Sequence, residues 1–257
     1  GIRDYKVTGV QTCALPIWQD LGGRAMLLRT VELFTKRDEV KSIIVAGPPD
    51  DLDDFRERFG AQLGFHGVRI VPGGRVDRWE TVKNALAAVP DDATHVAVHD
   101  AARPGASDEL IGRVLEAAKV HAAVIPGLPV ADTLKRVSEQ SVRAEEEDAV
   151  ADLILGESAE AATSKGRFVE ATIDRANMVA VQTPQVFEIG MLRRAYAQPD
   201  LSGATDDAGL VERLGEKVLV VDGEVRNLKV TVPADLALMR TMLGLKAPET
   251  RAVHKRF

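Results

Sequence analysis

Cysteine is almost absent: Cys13 is the only one in 257 residues. A single thiol excludes an internal disulfide framework and fits a reducing cytoplasm, the expected location. No apolar run approaches the roughly 18 residues that a membrane-spanning helix needs. Residues 1–18 also lack the continuous apolar centre of a signal peptide, although they contain Ala14-Leu15-Pro16-Ile17. Positive charge is not in excess either. The net charge is −6, and the segment Ser138 to Glu170 carries nine acidic residues against Arg143, Lys165 and Arg167, which accounts for the whole imbalance. The remainder is neutral, which argues against a general nucleic-acid-binding surface and requires any phosphorylated ligand to find local cations. No internal repeat is present.

What is there is ordinary for one large α/β domain with a sizeable core: 45% hydrophobic and 28% charged residues. Apolar strand runs at Lys41 to Gly47, Val68 to Val71, His95 to Val98 and Ala122 to Ile125 alternate with helical periodicity around Met26 to Phe34, Asp50 to Leu63, Trp79 to Val89 and Ser107 to Val120. Short Gly/Pro turns join them. This pattern predicts βαβ units and a mostly parallel central sheet flanked by helices, a Rossmann-like architecture. The acidic stretch at 138–165 interrupts it as an insertion, helical at most over Ala149 to Leu155. Beyond it lie β-like segments at Phe168 to Ile173, Met178 to Val181 and Thr183 to Phe187. Helices at Ile189 to Ala197 and Thr205 to Leu214, a strand at Lys217 to Val221 and a helix at Ala234 to Leu243 complete the chain, with a polar tail from Lys246.

Chemistry concentrates where strands end. His95 to His99 stops on Asp100-Ala101-Ala102-Arg103-Pro104. Ligands of open α/β sheets sit beyond the carboxyl ends of the strands. A carboxylate there can hold a divalent cation and a guanidinium can bind phosphate, with small alanines between them. An N-capping Asp before a Pro turn is the plainer alternative. Three further clusters follow: Pro129-Val130-Ala131-Asp132-Thr133-Leu134-Lys135; Asp174-Arg175 with Gln182-Thr183-Pro184-Gln185; and Asn227-Leu228-Lys229-Val230-Thr231. Singly, Thr133 reads as a turn hydroxyl, Arg175 as a surface ion pair and Lys229 as a snorkelling side chain.

In this order, V-H-D-A-A-R-P, P-V-A-D-T-L-K, D-R with Q-T-P-Q-V-F, T-D-D-A and N-L-K-V-T-x-P-x-D resemble the hallmark stretches of the 2-C-methyl-D-erythritol 4-phosphate cytidylyltransferases of the non-mevalonate isoprenoid pathway. The resemblance runs from about Gln19 to Leu243, with an arm and acidic insertion at about 136–172. It implies transfer of CMP from CTP to 2-C-methyl-D-erythritol 4-phosphate with release of pyrophosphate. By that resemblance Asp100 positions Mg²⁺ on the CTP phosphates, with Ala101 beside the nucleotide. Arg103 and Thr133, with Thr183 nearby, line the acceptor pocket, and Arg175 and Lys229 hold its phosphate in line. Gly73, Gly74 and Thr81 resemble a cytosine-reading turn. Its spacing is one residue long, so Arg75 to Arg78 receive no role. Thr205-Asp206-Asp207 resembles a segment bordering the substrate. The arm implies a homodimer.

The N-terminus departs from the family. A buried strand running into A-A-G-x-G-x-R, then P-K-Q, is expected, and residues 1–18 contain neither; Pro16-Ile17-Trp18 stands where P-K-Q belongs. These residues show no clean periodicity and are expected to be foreign, with the first central strand lost along with the triphosphate cradle and activity severely impaired. Two other readings stay open: a sibling cytidylyltransferase acting on ribitol 5-phosphate, and a non-catalytic nucleotide-binding module.

Overall fold

The computed structural model describes residues 5–9, 17–139, 142–145 and 163–245. The helix expected at Ala149 to Leu155, most of the acidic insertion, Cys13 and the tail from Lys246 lie outside them. The chain divides into two compact units, one formed by 1–128 with 181–257 and the other by 129–180.

The first unit is built on one twisted sheet. Its strands are β1 (Tyr5–Gly9), β2 (Val40–Gly47), β3 (Arg69–Pro72), β4 (His95–His99), β5 (Ala123–Pro129), β10 (Val179–Val181), β11 (Gln185–Glu188) and β12 (Leu219–Asp222), in the order β10-β5-β11-β4-β1-β2-β3, with β12 also paired to β5. Strand β11 runs antiparallel to β4 and β5, and β1–β2, β1–β4, β2–β3 and β5–β12 are parallel. The mostly parallel sheet expected from the alternating pattern is therefore present.

Both faces are covered, which is why these strands are apolar at consecutive positions rather than at alternate ones. Helices α1 (Met26–Thr35), α2 (Leu52–Phe65) and α4 (Asp108–Ala118) pack Leu27, Phe34, Phe59, Leu63, Leu110 and Leu115 against Val45, Ala97 and Val124. On the opposite face α3 (Arg78–Leu86), α5 (Ile189–Tyr196) and α6 (Asp207–Glu212) bring Val82, Leu86, Leu192 and Leu210 to Ile44, Val96, Val98 and Phe187. A fully buried Leu such as Leu110 contributes about 1.5–3 kcal/mol by leaving water. Caps fix where the helices begin. Ser107 accepts from Leu110 N–H, Glu188 from Gly190 and Met191, and Asp206 from Gly209. A third cluster, with Leu21, Met26, Ala102, Val230 and Met239, seats α7 (Pro233–Met242). Among the described residues no helix is long and apolar enough to cross a membrane.

The expected loss of the first central strand is corrected. Residues Tyr5–Gly9 form β1, parallel to both β2 and β4, with Val7 opposite Ile43 and Ala97 and Gly9 opposite Val45 and His99. Strand pairing is made by backbone N–H and C=O groups, so an unfamiliar sequence fills the slot that the ladders of β2 and β4 require.

The second unit holds two antiparallel pairs. Strand β6 (Leu134–Val137) pairs with β9 (Val169–Ile173), and β7 (Val142–Glu145) with β8 (Thr163–Gly166). The expected arm at 136–172 is thus the greater part of a unit that extends from 129 to 180.

Val7→Pro removes a ladder donor from a strand with two partners and is expected to cost about 1–3 kcal/mol. That lowers Tm by about 2–4 °C per kcal/mol in a chain of this size. Calorimetry showing an unchanged Tm would place residues 5–9 outside the sheet.

Candidate active site

The parallel register puts the ends of β2, β3 and β4 on one edge of the sheet, where Gly47, Pro72 and Asp100 leave it. Asp100 follows a strand buried at every position, and its side chain is only 7% exposed. Lys229 Nζ lies 3.2 Å and Arg103 Nε 3.4 Å from the same oxygen, Oδ2. Burial pushes the Asp100 carboxyl towards the neutral acid. The attraction of Lys229, Arg78 and Arg103 outweighs that penalty and holds its pKa below the usual value. The site therefore carries a buried, ionised carboxylate inside a ring of cations.

His99 and Thr183 tie this carboxylate to the next segment. Thr183 Oγ1 accepts from Asp100 N–H at 3.0 Å and lies 3.0 Å from His99 Nδ1, while His99 Nε2 is 3.2 Å from the Arg103 carbonyl. A carbonyl only accepts, so Nε2 carries the proton and Nδ1 receives the threonine O–H. Burial lowers the His99 pKa to about 4, and the ring packs edge-on against Phe34. Thr183 precedes a cis proline, Pro184, and β11 begins at Gln185.

These residues open onto a cavity of about 400 Å³ lined by Arg78, Asp100, Arg103, Gln182, Thr183, Gln185, Thr205, Asp206 and Lys229, among others. Four of the residues expected from sequence, Asp100, Arg103, Thr183 and Lys229, are thus brought together. Ala101 is buried behind them, its carbonyl 2.8 Å from Thr30 Oγ1. Gly73, Gly74 and Thr81 form a turn at the end of β3. Gly73 N–H donates to Gly47 O at 2.8 Å, Gly74 N–H donates to Thr81 Oγ1 at 2.8 Å, and Asn84 Nδ2 donates to Gly73 O at 3.0 Å. A Cβ on Gly74 would lie 2.8 Å from Thr81 N, so only glycine allows this closure. Thr133 and Arg175 belong to the second unit. They flank the same end of the β6–β9 pair, where Leu134 faces Ile173; Thr133 is exposed, and Arg175 Nη1 donates to Val130 O at 3.3 Å.

Arg78 is a correction to the sequence reading, which gave Arg75 to Arg78 no role. It opens α3, lines the cavity, and donates to Asp207 Oδ2 at 2.6 Å. Asp207 is fully buried and accepts from the Tyr196 hydroxyl at its other oxygen. Burial disfavours the Arg78 charge, but Asp207 more than compensates and the guanidinium is held more firmly protonated. The extra residue in the glycine turn hid this arginine. The detectable signal is its place one helical turn before Thr81, at the start of a helix whose first turn faces the sheet edge. Gln185 and Asp206 were also missed as a pair. Gln185 Nε2 donates to Asp206 Oδ2 at 2.8 Å, and Gln185 Oε1 accepts from Ala208 N–H at 3.1 Å.

Known proteins are similar to this chain along nearly its whole length. The family described as 2-C-methyl-D-erythritol 4-phosphate cytidylyltransferase (IspD) matches residues 10–154 and 145–244. The chain belongs to this family. The family match begins at residue 10, ahead of the Gln19 boundary expected from motifs alone. The Frankia casuarinae cytidylyltransferase is 40% identical over 225 residues, covering 87% of this chain and 72% of that protein. The Saccharopolyspora erythraea cytidylyltransferase is 37% identical over 241 residues, 92% of each. The crystal structure of the Thermus thermophilus cytidylyltransferase matches with a TM-score of 0.68 and 30% identity over 93% of this chain and 98% of that one. The chain is accordingly a nucleotidyltransferase of α/β fold.

Two measurements follow from the buried charges. His99 is held near pKa 4 in the folded chain and titrates at its ordinary value of 6.5 when unfolded. The unfolded chain therefore takes up the proton first. Stability is fully present above about pH 6.5 and declines as pH falls towards 4, by on the order of 3 kcal/mol. Urea midpoints measured across that window should show this slope, and His99→Gln should flatten it. Asp207→Asn strips the buried Arg78 of its counter-charge and should cost about 3–5 kcal/mol in the same assay. A loss under about 1 kcal/mol, the range of an exposed pair, would show that the contact is solvated.

Proposed function

We propose that this chain transfers CMP from CTP to 2-C-methyl-D-erythritol 4-phosphate, releasing pyrophosphate, in isoprenoid precursor synthesis. The observation that carries this reading is the convergence of Asp100, Arg103, Thr183 and Lys229, from three separate segments, on one polar cavity at the carboxyl edge of the sheet. A phosphate monoester attacks the α-phosphorus of the nucleotide. No covalent protein intermediate is needed, so the protein's task is positioning and neutralisation of charge.

In this reading Lys229 and Arg175 orient the acceptor phosphate. Arg103, Thr133 and Thr183 shape its pocket, and the turn of Gly73, Gly74 and Thr81 reads the cytosine, with Ala101 beside the nucleotide. Lys229 suits its role, since an ammonium carries three donors and the contact with Asp100 occupies one direction. Asp100 fits a Mg²⁺ site of the kind completed by substrate. The carboxylate is ionised, its two cationic contacts share Oδ2, and Mg²⁺ ordinarily takes one or two carboxylates plus phosphate oxygens and water. Among the described residues no group of three His, Cys, Asp or Glu side chains could hold a metal without such help. When bound, Mg²⁺ held by Asp100 would supply positive charge to the triphosphate. We also infer a homodimer through the second unit, supported by the apolar side chains it exposes: Val137, Phe168, Val169, Met178 and Val179.

The residues ahead of Gln19 supply neither the glycine-rich amides nor the Arg and Lys of the family's triphosphate cradle. Loss of one preorganised transition-state donor lowers kcat by about 10²–10³, and the combined loss is expected to lower turnover further. The test is CTP-dependent pyrophosphate release with methylerythritol phosphate and Mg²⁺, run on this chain and on a version carrying A-A-G-x-G-x-R…P-K-Q ahead of Gln19. Activity confined to the restored version supports the family reaction and the damage together. Activity only with ribitol 5-phosphate moves the assignment to that substrate. CTP binding without pyrophosphate release in either version identifies a non-catalytic module, and equal activity in both puts the cradle elsewhere.

A further inference from the structure

Lys229 is carried by a segment, Gly223 to Val230, that is neither helix nor strand. Such a segment has no ladder of its own to fix a catalytic lysine within an ångström, so its rigidity must come from contacts with neighbouring loops. Those contacts centre on Asn227, which is fully buried and absent from the cavity lining. Its Nδ2 donates to Thr183 O at 2.8 Å and to Gln182 Oε1 at 3.1 Å. Its main-chain oxygen accepts from Arg103 Nη1 at 2.8 Å, and its N–H donates to Glu224 O at 3.0 Å. Two residues on stands Lys229. One side chain and one carbonyl therefore link three residues of the cavity wall.

The orientation of the amide is determined by its partners. Gln182 Oε1 also accepts from Glu224 N–H at 3.1 Å, while Gln182 Nε2 donates to Glu224 O at 2.9 Å, so the glutamine cannot reverse without opposing like groups. With Oε1 fixed as an acceptor and Thr183 O a carbonyl, position 227 must present an N–H₂ group. Aspartate has the same shape and fails, because it would place a carboxylate oxygen against two acceptors. The surrounding main chain is equally close. Val230 N–H donates to Ala102 O at 2.8 Å, Arg226 Nε donates to Gly105 O at 3.1 Å, and a Cβ on Gly105 would stand 2.2 Å from Arg226 O. The 100–105 and 223–230 loops are thus in main-chain contact, with Asn227 as the pin that joins both to the Gln182–Thr183 turn.

We propose that Asn227 is the positioning residue of the acceptor side of the site, setting Thr183, Arg103 and Lys229 as one unit without itself touching substrate. That these three side chains meet the polyol phosphate rests on the function proposed above. The positioning claim is separable from it, because it concerns the loops themselves.

The test compares this chain with Asn227→Asp, which preserves shape, and with Asn227→Ala, which covers the case in which the aspartate variant does not fold. Amide hydrogen exchange is read at Arg103, Gln182 and Val230, with Ile44 and Leu63 as controls in β2 and α2. Calorimetric titration follows methylerythritol phosphate in the presence of CTP and Mg²⁺, and CTP alone. The expected result is exchange at least tenfold faster at Arg103, Gln182 and Val230 with the controls unchanged. Methylerythritol phosphate affinity should fall at least tenfold while CTP affinity stays within twofold. Unchanged exchange at the three amides overturns the proposal, as does acceleration that includes both controls, which marks Asn227 as a general stability residue. Equal losses of affinity for both ligands also overturn it. If neither this chain nor the version with the restored loop binds methylerythritol phosphate, the functional reading fails, and selective loosening of the three amides still establishes the pin.

Discussion

A carboxylate buried at the end of the central strand is the constraint from which the rest of the site follows. Asp100 is charged although it is almost withdrawn from water, a state that survives only if cations are brought to it. No single segment supplies them: Arg103 comes from the same loop, Lys229 from the segment before α7, and Arg78 from the start of α3. Each of these cations must in turn be held. Arg78 is held by Asp207, itself anchored by Tyr196, and Arg103 by the carbonyl of Asn227. The support of the site is therefore electrostatic in origin and reaches Tyr196 on α5, outside the cavity lining.

Directional hydrogen bonds add what charge alone cannot. A ring of cations around an anion is tolerant of displacement, whereas the chain from Asp100 N–H through Thr183 to His99 and back to the Arg103 carbonyl has one proton for each link and one sense. Burial keeps His99 neutral, and neutrality is what lets one ring nitrogen accept while the other donates. Desolvation, usually a cost, here keeps the ring neutral, and the Arg103 carbonyl then fixes the tautomer that registers two loops against each other.

Much of this was legible in the sequence because it follows from local rules. The apolar run from His95 to Val98 ending on Asp100 announces a buried strand with a functional end, and the spacing of Val82 and Leu86 or Leu110, Val114 and Leu115 announces helices against a sheet. What escaped was the geometry between segments. Arg78 was obscured by one extra residue in a turn, and its partner Asp207 lies 129 positions away, beyond any pattern of short period. Asn227 sat in view within N-L-K-V-T, but its importance depends on which backbone groups of two other loops face it, which no spacing encodes. Thr133 and Arg175 rest on motif alone, and both belong to the second unit.

The first strand separates two demands that are easily confused. Completing a parallel sheet requires extended backbone of adequate length, and Tyr5–Gly9 provides it between β2 and β4. Binding a triphosphate requires specific side chains and glycines in the loop that follows, because anion affinity comes from convergent N–H groups and fixed cations rather than from chain direction. A segment can satisfy the first demand with almost any sequence of moderate β propensity and contribute nothing to the second. Stability and catalysis at this end of the molecule thus draw on different atoms. A folded, cooperative domain is therefore the expected background against which a missing cradle would be felt, and a fall in turnover without a fall in Tm would locate the defect in the loop and not in the sheet.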